Sequence, residues 1–340
     1  MLTQTQFDND SFSDKVKFHY RRGYGRYLKY FKNRLQWDYL PQRHILPQVP
    51  PHIDIEPTSI CNMRCPMCFQ NYKDLNKNGT MDMDLYKKII DDASEIGIFS
   101  VRLSHRGEPL IHPEFVNMIR YAKKKGIQEV STLTNGLLLT KDKIDELYEA
   151  GLDWLNISID GIGETYENIR RPAKFNDIVQ KVQYAYELRK KRKMKRPVLW
   201  IQSVWSAVEN THKEYIKTFK PYVDKIAFHI DCDYENKFEK DPTWVCHRLW
   251  HRMMVFWNGI VPLCNSDFDG LYPLGSMTNS SIKQIWLGDR LQKARELNLE
   301  KRRLVLKPCE DICNWGNKNV ETEIDVDGKT QKIFTFIEKK

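Results

Sequence analysis

The sequence lacks long apolar runs, since no purely apolar stretch in its 340 residues exceeds a few positions. A transmembrane helix needs about 20 predominantly apolar residues, so we expect no membrane insertion. The opening stretch MLTQTQFDND also lacks the basic start and the apolar core of a signal peptide. These two absences together predict a cytoplasmic protein.

Internal repeats, low-complexity segments and Gly/Ser-rich linkers are absent as well, which excludes a repeat array. What recurs instead is an alternation of short apolar runs with helical patterns. Thr140 suits the N-cap of one of these helices, and Gly151 suits its C-terminal stop. Strands are predicted at residues 52–56, 100–104, 129–133, 154–159, 198–204 and 225–230, and helices at 82–96, 113–125, 141–150, 176–191, 211–222 and 281–297.

The alternation of strand and helix predicts parallel strands joined by right-handed crossovers. The expected fold class is α/β, a partial barrel of about six strand–helix units over residues 51–235, preceded by a basic helical extension over 1–50. A small α+β domain is expected over 236–320 and a β-hairpin over 321–340. In such barrels the chemistry lies at the C-terminal ends of the strands.

Eight cysteines in a reducing compartment indicate metal ligands or reactive thiols more than disulfides. Three of them, Cys61, Cys65 and Cys68, stand in CNMRCPMCF, directly after the first predicted strand. Three thiolates hold three irons of a 4Fe-4S cubane and leave the fourth iron open. The alternative is a zinc site with a distant fourth ligand.

This C-x3-C-x2-C spacing after the first strand of a barrel resembles the radical S-adenosylmethionine (radical SAM) superfamily. The resemblance implies that the amino and carboxylate groups of S-adenosylmethionine chelate the open iron. It also implies that reduction cleaves this cofactor to a 5′-deoxyadenosyl radical, which abstracts a hydrogen atom from the substrate. A flavodoxin or ferredoxin-type protein of acidic surface is the reductant to expect.

Further segments at later strand ends resemble the cofactor-binding motifs of the same family. RGEP is similar to the GGEP motif but carries Arg106 where the family usually has glycine, TLTNG is similar to TNG, and SIDG is similar to S-x-D-G. The arginine of YENIRRP matches a position that often pairs with the cofactor carboxylate, and Phe69 is expected beside the adenine. The residues that the resemblance assigns to S-adenosylmethionine are Phe69, Gly107, Glu108, Thr134, Asn135, Ser158 and Arg170.

Four later cysteines, Cys246, Cys264, Cys309 and Cys313, form a second set that begins as C-x12-G-x4-C. The spacing resembles the SPASM domain and its shorter "twitch" form, which implies a second, auxiliary 4Fe-4S cluster closed by four thiolates. Structural zinc is the alternative for this set, because four thiolates suit zinc equally well.

The eighth cysteine, Cys232, follows the sixth predicted strand in HIDCDYEN. A thiol there is a candidate to return a hydrogen atom to a substrate radical, and the neighbouring Asp231 is a candidate to take a proton from an alcohol. The alternative for Cys232 is a small buried hydrophobic residue.

The net charge of +9 comes partly from two basic runs at residues 20–34 and 188–196. The first run is expected to cap the barrel or to meet an acidic reductase, and a solvated helix face is the alternative for both. No nucleic-acid module accompanies them, so nucleic acid is not expected as a partner.

The sequence does not settle the substrate. Relatives with one auxiliary cluster include an aminocyclitol dehydrogenase, so the resemblance implies a sugar or aminocyclitol substrate and a reaction of dehydrogenation or epimerisation. A peptide-modifying enzyme is the first alternative. A zinc-binding interaction or nucleic-acid module is the alternative from another class.

Overall fold

The computed structural model describes residues 6–8, 10–71, 78–232, 234–235, 237–326 and 328–339, and of residues 6 and 334 it describes only the backbone. The strands are β1 (Gln6–Asp8), β2 (His52–Ile55), β3 (Ser100–Leu103), β4 (Glu129–Thr134), β5 (Trp154–Ser158), β6 (Val198–Val204), β7 (Lys225–His229), β8 (Met253–Val255), β9 (Ile260–Val261), β10 (Gly275–Ser276), β11 (Asn319–Val326) and β12 (Lys329–Phe336). The helices are α1 (Phe12–Gly23), α2 (Tyr27–Arg34), α3 (Met83–Glu95), α4 (Phe115–Lys124), α5 (Lys141–Glu149), α6 (Gly163–Ile169), α7 (Phe175–Lys191), α8 (His212–Phe219), α9 (Ile282–Trp286), α10 (Asp289–Leu299) and α11 (Lys307–Asp311).

An eight-stranded sheet in the order β1-β7-β6-β5-β4-β3-β2-β8 forms the main body. Strands β2 to β7 are parallel, and helices α3 to α8 connect them in chain order. All six strands predicted from the sequence are present with at most one residue of difference at an end, so the α/β fold class is confirmed. The C-terminal ends of these strands therefore share one edge, where the cysteine loop begins.

Local signals set the helix boundaries that the sequence predicted. The Asp82 carboxylate accepts hydrogen bonds from the backbone N–H groups of Asp84 and Leu85 and so caps α3. Thr140 caps α5 through the Lys143 N–H at 3.1 Å, and Gly151 follows that helix with φ of 84°. Side-chain caps and a left-handed glycine are visible in sequence, which is why these boundaries were predictable.

Two strands at the edges of the sheet were not predicted from the sequence. Strand β1 pairs antiparallel with β7, and β8, which lies within the predicted cluster domain, pairs parallel with β2. Each has three residues, too few for a pattern of alternation to be recognised. By pairing with β7 and β2, they cover both edges of the six-stranded parallel sheet.

Asp54, at the centre of β2, ties β8 to the barrel. Its carboxylate is fully buried and lies 2.9 Å from Arg102 Nε, 3.3 Å from Arg252 Nε and 3.2 Å from His52 Nε2. Burial alone would raise the pKa of Asp54, but the two guanidinium groups hold it well below its usual value. Arg252 directly precedes β8, so this ion cluster anchors the edge strand.

Helices α1 and α2 lie against the N-terminal ends of the barrel strands. Arg22 binds Glu129 through two hydrogen bonds of 2.9 and 2.7 Å and lies 4.5 Å from the ring centroid of Trp154. Arg26 Nη1 lies 3.0 Å from an oxygen of Asp153. The buried side of the basic N-terminal segment thus caps the barrel. This is one of the two roles expected from the sequence, the other being contact with an acidic reductase.

Replacing Arg22 by methionine is expected to destabilise the protein by up to about 3–5 kcal/mol, because the buried Glu129 then loses both of its arginine hydrogen bonds and keeps only the Arg26 guanidinium, at 3.9 Å. Burial would raise the pKa of Glu129 above the usual 4.5, but Arg22 lowers it to about 2. The stabilisation is therefore present above about pH 4.5 and is lost as the pH falls toward 2. Urea unfolding of wild type and variant across this range measures the difference.

The matched control is Arg21→Met, whose ion pair with Asp224 is nearly a third exposed on the arginine side. Its effect on unfolding should be clearly smaller than that of Arg22→Met. An equal loss in both variants would show that the buried pair has no special role.

The helical stretch predicted over 281–297 is present, divided into two helices. The chain forms α9 and α10, with Gly288 between them, where an added Cβ would lie 2.8 Å from the carbonyl oxygen of Gln284. This close backbone approach ends the first helix, and α10 starts after it. The predicted hairpin is present as β11 and β12, although Asp327 at its turn lies outside the described residues.

None of the helices in the described part of the chain combines the length and the apolar composition needed to cross a membrane.

Candidate active site

The loop after β2 carries Cys61, Cys65 and Cys68 at the C-terminal edge of the sheet. The Cys68 N–H donates to the Cys65 carbonyl at 2.9 Å, which folds the loop back on itself. Burial, together with the charges of Cys65 and Cys61, raises the pKa of Cys68 to about 11. The three thiols therefore lie close enough to interact electrostatically, as ligands of one cluster must.

The four later cysteines also come together in space. Burial raises the pKa of Cys264 to about 12, with added repulsion from Cys313 and Cys246. Cys309 is affected by the same three thiols. These interactions fit a set of four ligands around one group.

The arrangement of the potential metal ligands bears on the two zinc alternatives. Within the described ranges, no group of three or more His, Cys, Asp or Glu side chains is arranged to hold a single metal ion. Zinc binds four thiolates with Zn–S distances of about 2.3 Å, so their sulfur atoms lie close together. The ligands of a four-iron cube bind different irons, so their sulfur atoms lie further apart. The arrangement of these side chains thus gives no support to zinc at either cysteine set.

Glu108 joins two of the predicted motifs. Its side chain is buried, and one oxygen accepts hydrogen bonds from Thr134 Oγ1 at 2.6 Å and from the Leu110 N–H at 3.1 Å. The other oxygen accepts from the Asn135 N–H at 2.7 Å. Burial raises the pKa of Glu108, while these donors oppose the rise. The RGEP and TNG segments thus meet because β3 and β4 are neighbours.

Gly107 sits where a side chain has no room. A Cβ at this position would lie 2.4 Å from the carbonyl oxygens of both Thr58 and Ile60. The Glu108 N–H also donates to the Ile60 carbonyl at 2.9 Å. Glycine therefore allows the RGEP segment to pack directly on the backbone that leads into Cys61.

Asn135 faces the same loop. Its Nδ2 donates to Asn62 Oδ1 at 2.7 Å and lies 3.9 Å from Cys61 Sγ. The TNG segment is thus in contact with the first cysteine as well as with Glu108.

Ser158 and Arg170 lie further along the same edge. Ser158 ends β5 with a buried side chain, and Arg170 Nε donates to Asp160 Oδ2 at 2.7 Å. The Val204 N–H donates to the other Asp160 oxygen at 2.8 Å. Arg170 is therefore held by a carboxylate of this chain, while its charge also lowers the pKa of Cys65 against the effect of burial.

Phe69, predicted beside the adenine, has one ring face covered by the cluster domain. It stacks on Phe268 with ring centroids 4.2 Å apart and an angle of 7° between the planes. Its other contacts include the ring of Tyr234 at 6.1 Å. The cysteine loop and the C-terminal domain therefore meet at Phe69.

Arg106, the departure from the GGEP pattern, forms an ion pair that the sequence did not reveal. Its Nε and Nη2 bind the fully buried carboxylate of Glu56 at 2.6 and 2.5 Å. Its Nη1 donates to the Phe268 carbonyl at 2.9 Å, and its guanidinium lies 3.8 Å from the ring centroid of Phe256. The Trp257 N–H donates to Glu56 as well, at 3.1 Å. We call Arg106 and Glu56 the interdomain clamp.

Cys232 and Asp231 lie beyond the end of β7, at a cleft of about 730 Å³ whose other wall is the C-terminal hairpin. Asp231 accepts a hydrogen bond from Ser206 Oγ at 2.8 Å. Cys232 is exposed toward the cleft, yet crowding by protein atoms raises the pKa of its thiol, and the charges of Asp231 and Cys313 add to this rise. The raised pKa favours the protonated thiol, and the exposure of Cys232 favours the role of a reactive thiol over that of a small buried residue.

Thr134→Val is expected to weaken S-adenosylmethionine binding about five- to thirtyfold, because Glu108 loses a buried hydrogen-bond donor. The KM for S-adenosylmethionine reports this directly, with kcat changing less. Thr134→Ser keeps the hydroxyl and should restore binding.

Thr132→Val is the matched control, since Thr132 lies on the same strand and its hydroxyl donates to the Leu103 carbonyl at 2.8 Å. If Thr132→Val raised the KM as much as Thr134→Val, the effect would come from the strand and not from Glu108.

Sequence comparison identifies two families along the chain. The radical SAM superfamily model matches residues 55–232, and the model of the iron–sulfur cluster-binding domain SPASM matches residues 246–314. The first match alone covers more than half of the chain.

Curated relatives match over shorter stretches. A tungsten-containing aldehyde ferredoxin oxidoreductase cofactor-modifying protein of Pyrococcus furiosus is 35% identical over 143 residues, 38% of this chain and 40% of the relative. A GTP 3′,8-cyclase of Desulforamulus reducens is 32% identical over 141 residues, 40% of this chain and 43% of the relative. The matched stretch spans about two fifths of the length of these relatives.

Solved structures resemble the fold over most of the chain. BtrN in complex with AdoMet and 2-DOIA aligns with a TM-score of 0.57 and 18% identity over 78% of this chain and 94% of that chain. Streptococcus suis SuiB bound to the precursor peptide SuiA aligns with a TM-score of 0.55 and 13% identity over 79% and 72%. The chain belongs to the radical SAM superfamily and is an enzyme that uses 4Fe-4S clusters and S-adenosylmethionine, with a SPASM-type domain at its C-terminal side.

Proposed function

We propose that this enzyme abstracts a hydrogen atom from a carbinol carbon of a sugar or aminocyclitol and so catalyses dehydrogenation or epimerisation. The observation that carries the proposal is the cleft at Cys232 and Asp231. Its volume of about 730 Å³ lies within the range of small-molecule sites, about 300–1,000 Å³. It presents a carboxylate, which the second half of dehydrogenation needs as a base, and a thiol, which the second half of epimerisation needs as a hydrogen donor.

The residues of the cysteine loop and its neighbours have roles in this proposal. Cys61, Cys65 and Cys68 would hold the cluster that binds S-adenosylmethionine, and the carboxylate of Glu108 would receive the methionine ammonium. When bound, these groups supply the 5′-deoxyadenosyl radical that removes the substrate hydrogen. Asn135 would hold the first cysteine against the TNG segment.

Dehydrogenation requires the substrate radical to lose one proton and one electron. Asp231 would take the proton from the hydroxyl group. Cys246, Cys264, Cys309 and Cys313 would hold the auxiliary cluster, which supplies a one-electron acceptor. The product is a ketone.

Epimerisation requires the carbon radical to regain a hydrogen atom on its other face. Cys232 would donate it from its S–H bond and become a thiyl radical. One electron from an external protein reductant and one proton then restore the thiol. The protonated state of Cys232 at neutral pH is consistent with this role.

Structural likeness supports a small substrate without deciding it. The alignment covers 94% of the BtrN chain, whose structure holds AdoMet and 2-DOIA, but only 72% of the SuiB chain, whose structure holds a precursor peptide. Peptide modification is the competing assignment, and it enters the test below.

The test uses the full chain, reconstituted anaerobically with iron and sulfide, and a panel of sugars, aminocyclitols and peptides in deuterated water. Dehydrogenation gives a product lighter by two hydrogen atoms. Epimerisation gives a product with one deuterium at carbon, taken from the exchanged Cys232 thiol. Turnover of peptides alone would contradict the proposal.

Two variants separate the reactions. Cys232→Ser should still form 5′-deoxyadenosine but should lose deuterium incorporation if the enzyme is an epimerase. Asp231→Asn should instead slow ketone formation if it is a dehydrogenase. Unchanged product formation in both variants would remove these two residues from the mechanism.

A further inference from the structure

The two basic runs of the sequence, about 160 residues apart, meet on one surface of the folded chain. Arg196 Nη1 donates to the Tyr24 carbonyl at 3.2 Å, and Lys195 Nζ lies 5.9 Å from the Tyr24 ring centroid. Arg26 and Arg196 both bind Asp153, at 3.0 and 3.2 Å. Helices α1 and α2 and the C-terminal end of α7 therefore form one surface at the N-terminal ends of the strands.

Arginines and lysines are used differently on this surface. Five arginines reach barrel carboxylates: Arg22 binds Glu129, Arg26 and Arg196 bind Asp153, and Arg21 and Arg189 bind Asp224. The lysines point outward. Those exposed to solvent on α1, on α2 and at the end of α7 are Lys15, Lys17, Lys29, Lys32, Lys190, Lys191, Lys193 and Lys195.

Large apolar side chains are exposed among these lysines. Phe12, Leu28 and Phe31 are 84%, 88% and 62% exposed. Of the eighteen large hydrophobic residues exposed in the described part of the chain, nine lie between residues 12 and 39. Less than a tenth of the chain thus carries half of the large hydrophobic residues exposed in its described part, which marks an interaction site.

These apolar residues form a continuous stripe. Phe12, Val16 and Tyr20 follow one another at intervals of four residues on α1, so they share a helix face. The ring of Tyr20 lies 6.1 Å from that of Tyr27, which begins α2. Phe31 lies four residues after Tyr27, on the same face of α2.

We infer that this surface docks peripherally on an anionic phospholipid bilayer. We call it the basal face and define it by the exposed lysines above together with Phe12, Val16, Tyr20, Tyr24, Tyr27, Leu28, Phe31 and Leu35. A helix that lies in the bilayer interface exposes Phe and Leu next to Lys and Arg, which is the composition found here. Anionic headgroups supply the complementary charge.

A protein partner fits this composition less well. Protein interfaces are enriched in arginine and depleted of lysine, whereas the basal face exposes lysines and engages five arginines with barrel carboxylates. An electron donor also fits poorly, because the cysteine loop follows the C-terminal end of β2 and the basal face lies at the opposite ends of the strands. Docking on lipid would leave the catalytic edge facing the aqueous phase.

The test is sedimentation of the full chain with phosphatidylcholine vesicles with and without phosphatidylserine. Binding is expected only with phosphatidylserine and should fall as salt is added. Lys29→Gln/Lys32→Gln should weaken binding about 25-fold, at about fivefold per lysine. Leu28→Ser/Phe31→Ser should weaken it about tenfold or more, because two apolar side chains no longer enter the interface.

Matched controls exist elsewhere on the surface. Lys213→Gln/Lys217→Gln changes two exposed lysines on α8, and Leu299→Ser/Val305→Ser changes two exposed apolar residues outside the basal face. All four variants should keep the melting temperature and the 5′-deoxyadenosine formation of wild type, so the result is independent of the proposed reaction.

Several results would overturn the inference. One is the absence of binding to anionic vesicles at low salt, and another is equal weakening by basal and control variants. Self-association, or binding of an acidic protein, that disappears in Leu28→Ser/Phe31→Ser while vesicles are not bound would assign the basal face to that protein instead.

Discussion

Cys65→Ala should abolish 5′-deoxyadenosine formation and lower the iron content from about eight to about four per chain, as expected when one of two cubanes is lost. Cys65 is buried between Cys61 and Cys68 in a loop of nine residues, and a cluster held by two thiolates there would not persist. Iron and sulfide analysis after anaerobic reconstitution, together with chromatography of the cleaved cofactor, measures both effects.

Two further cysteine variants act as controls. Cys264→Ala should also lose about four irons per chain but should still cleave S-adenosylmethionine, because the loop after β2 is unchanged. Cys232→Ala should keep all of the iron. Full iron content in Cys65→Ala, or cofactor cleavage by that variant, would contradict the assignment of the three-cysteine loop.

Arg106→Met is expected to destabilise the protein by about 3–5 kcal/mol, because Glu56 would remain fully buried without its cation. The interdomain clamp also places the residues after it, Gly107 and Glu108, so the variant should raise the KM for S-adenosylmethionine. Urea unfolding and cofactor titration measure the two effects separately.

A double variant sharpens this prediction. Glu56→Gln/Arg106→Met removes both charges and should recover part of the stability lost in Arg106→Met alone. Lys293→Met breaks an exposed pair with Glu296 and should change stability little. If Arg106→Met were as mild as Lys293→Met, the clamp would not hold the two domains together.

Much of the fold was predictable because its signals are local. The six parallel strands and the helices between them follow from apolar periodicity, and residues such as Asp82 and Thr140 mark helix starts through their own side chains. Strands β1 and β8 were not predictable, because three residues carry no period and their partners lie far away in the chain.

The candidate site likewise combines residues that motifs predicted with contacts that depend on distant parts of the chain. Glu108, Thr134 and Asn135 were predicted from motifs at successive strand ends, and they touch because neighbouring parallel strands end at one edge. The role of Arg106 was hidden, since its partner Glu56 lies 50 residues earlier and its other contacts come from the C-terminal domain. Sequence spacing alone also did not show that Arg170 would pair with Asp160.

The most direct test of the proposed reaction is the fate of a single carbinol deuterium. Candidate sugars and aminocyclitols carrying deuterium at the reacting carbon are incubated with the reconstituted enzyme, S-adenosylmethionine and reductant, and the mass of 5′-deoxyadenosine is measured. The account predicts one deuterium transferred to 5′-deoxyadenosine from at least one of these substrates. Cofactor cleavage without transfer from any of them, with transfer from a peptide carbon instead, would contradict it.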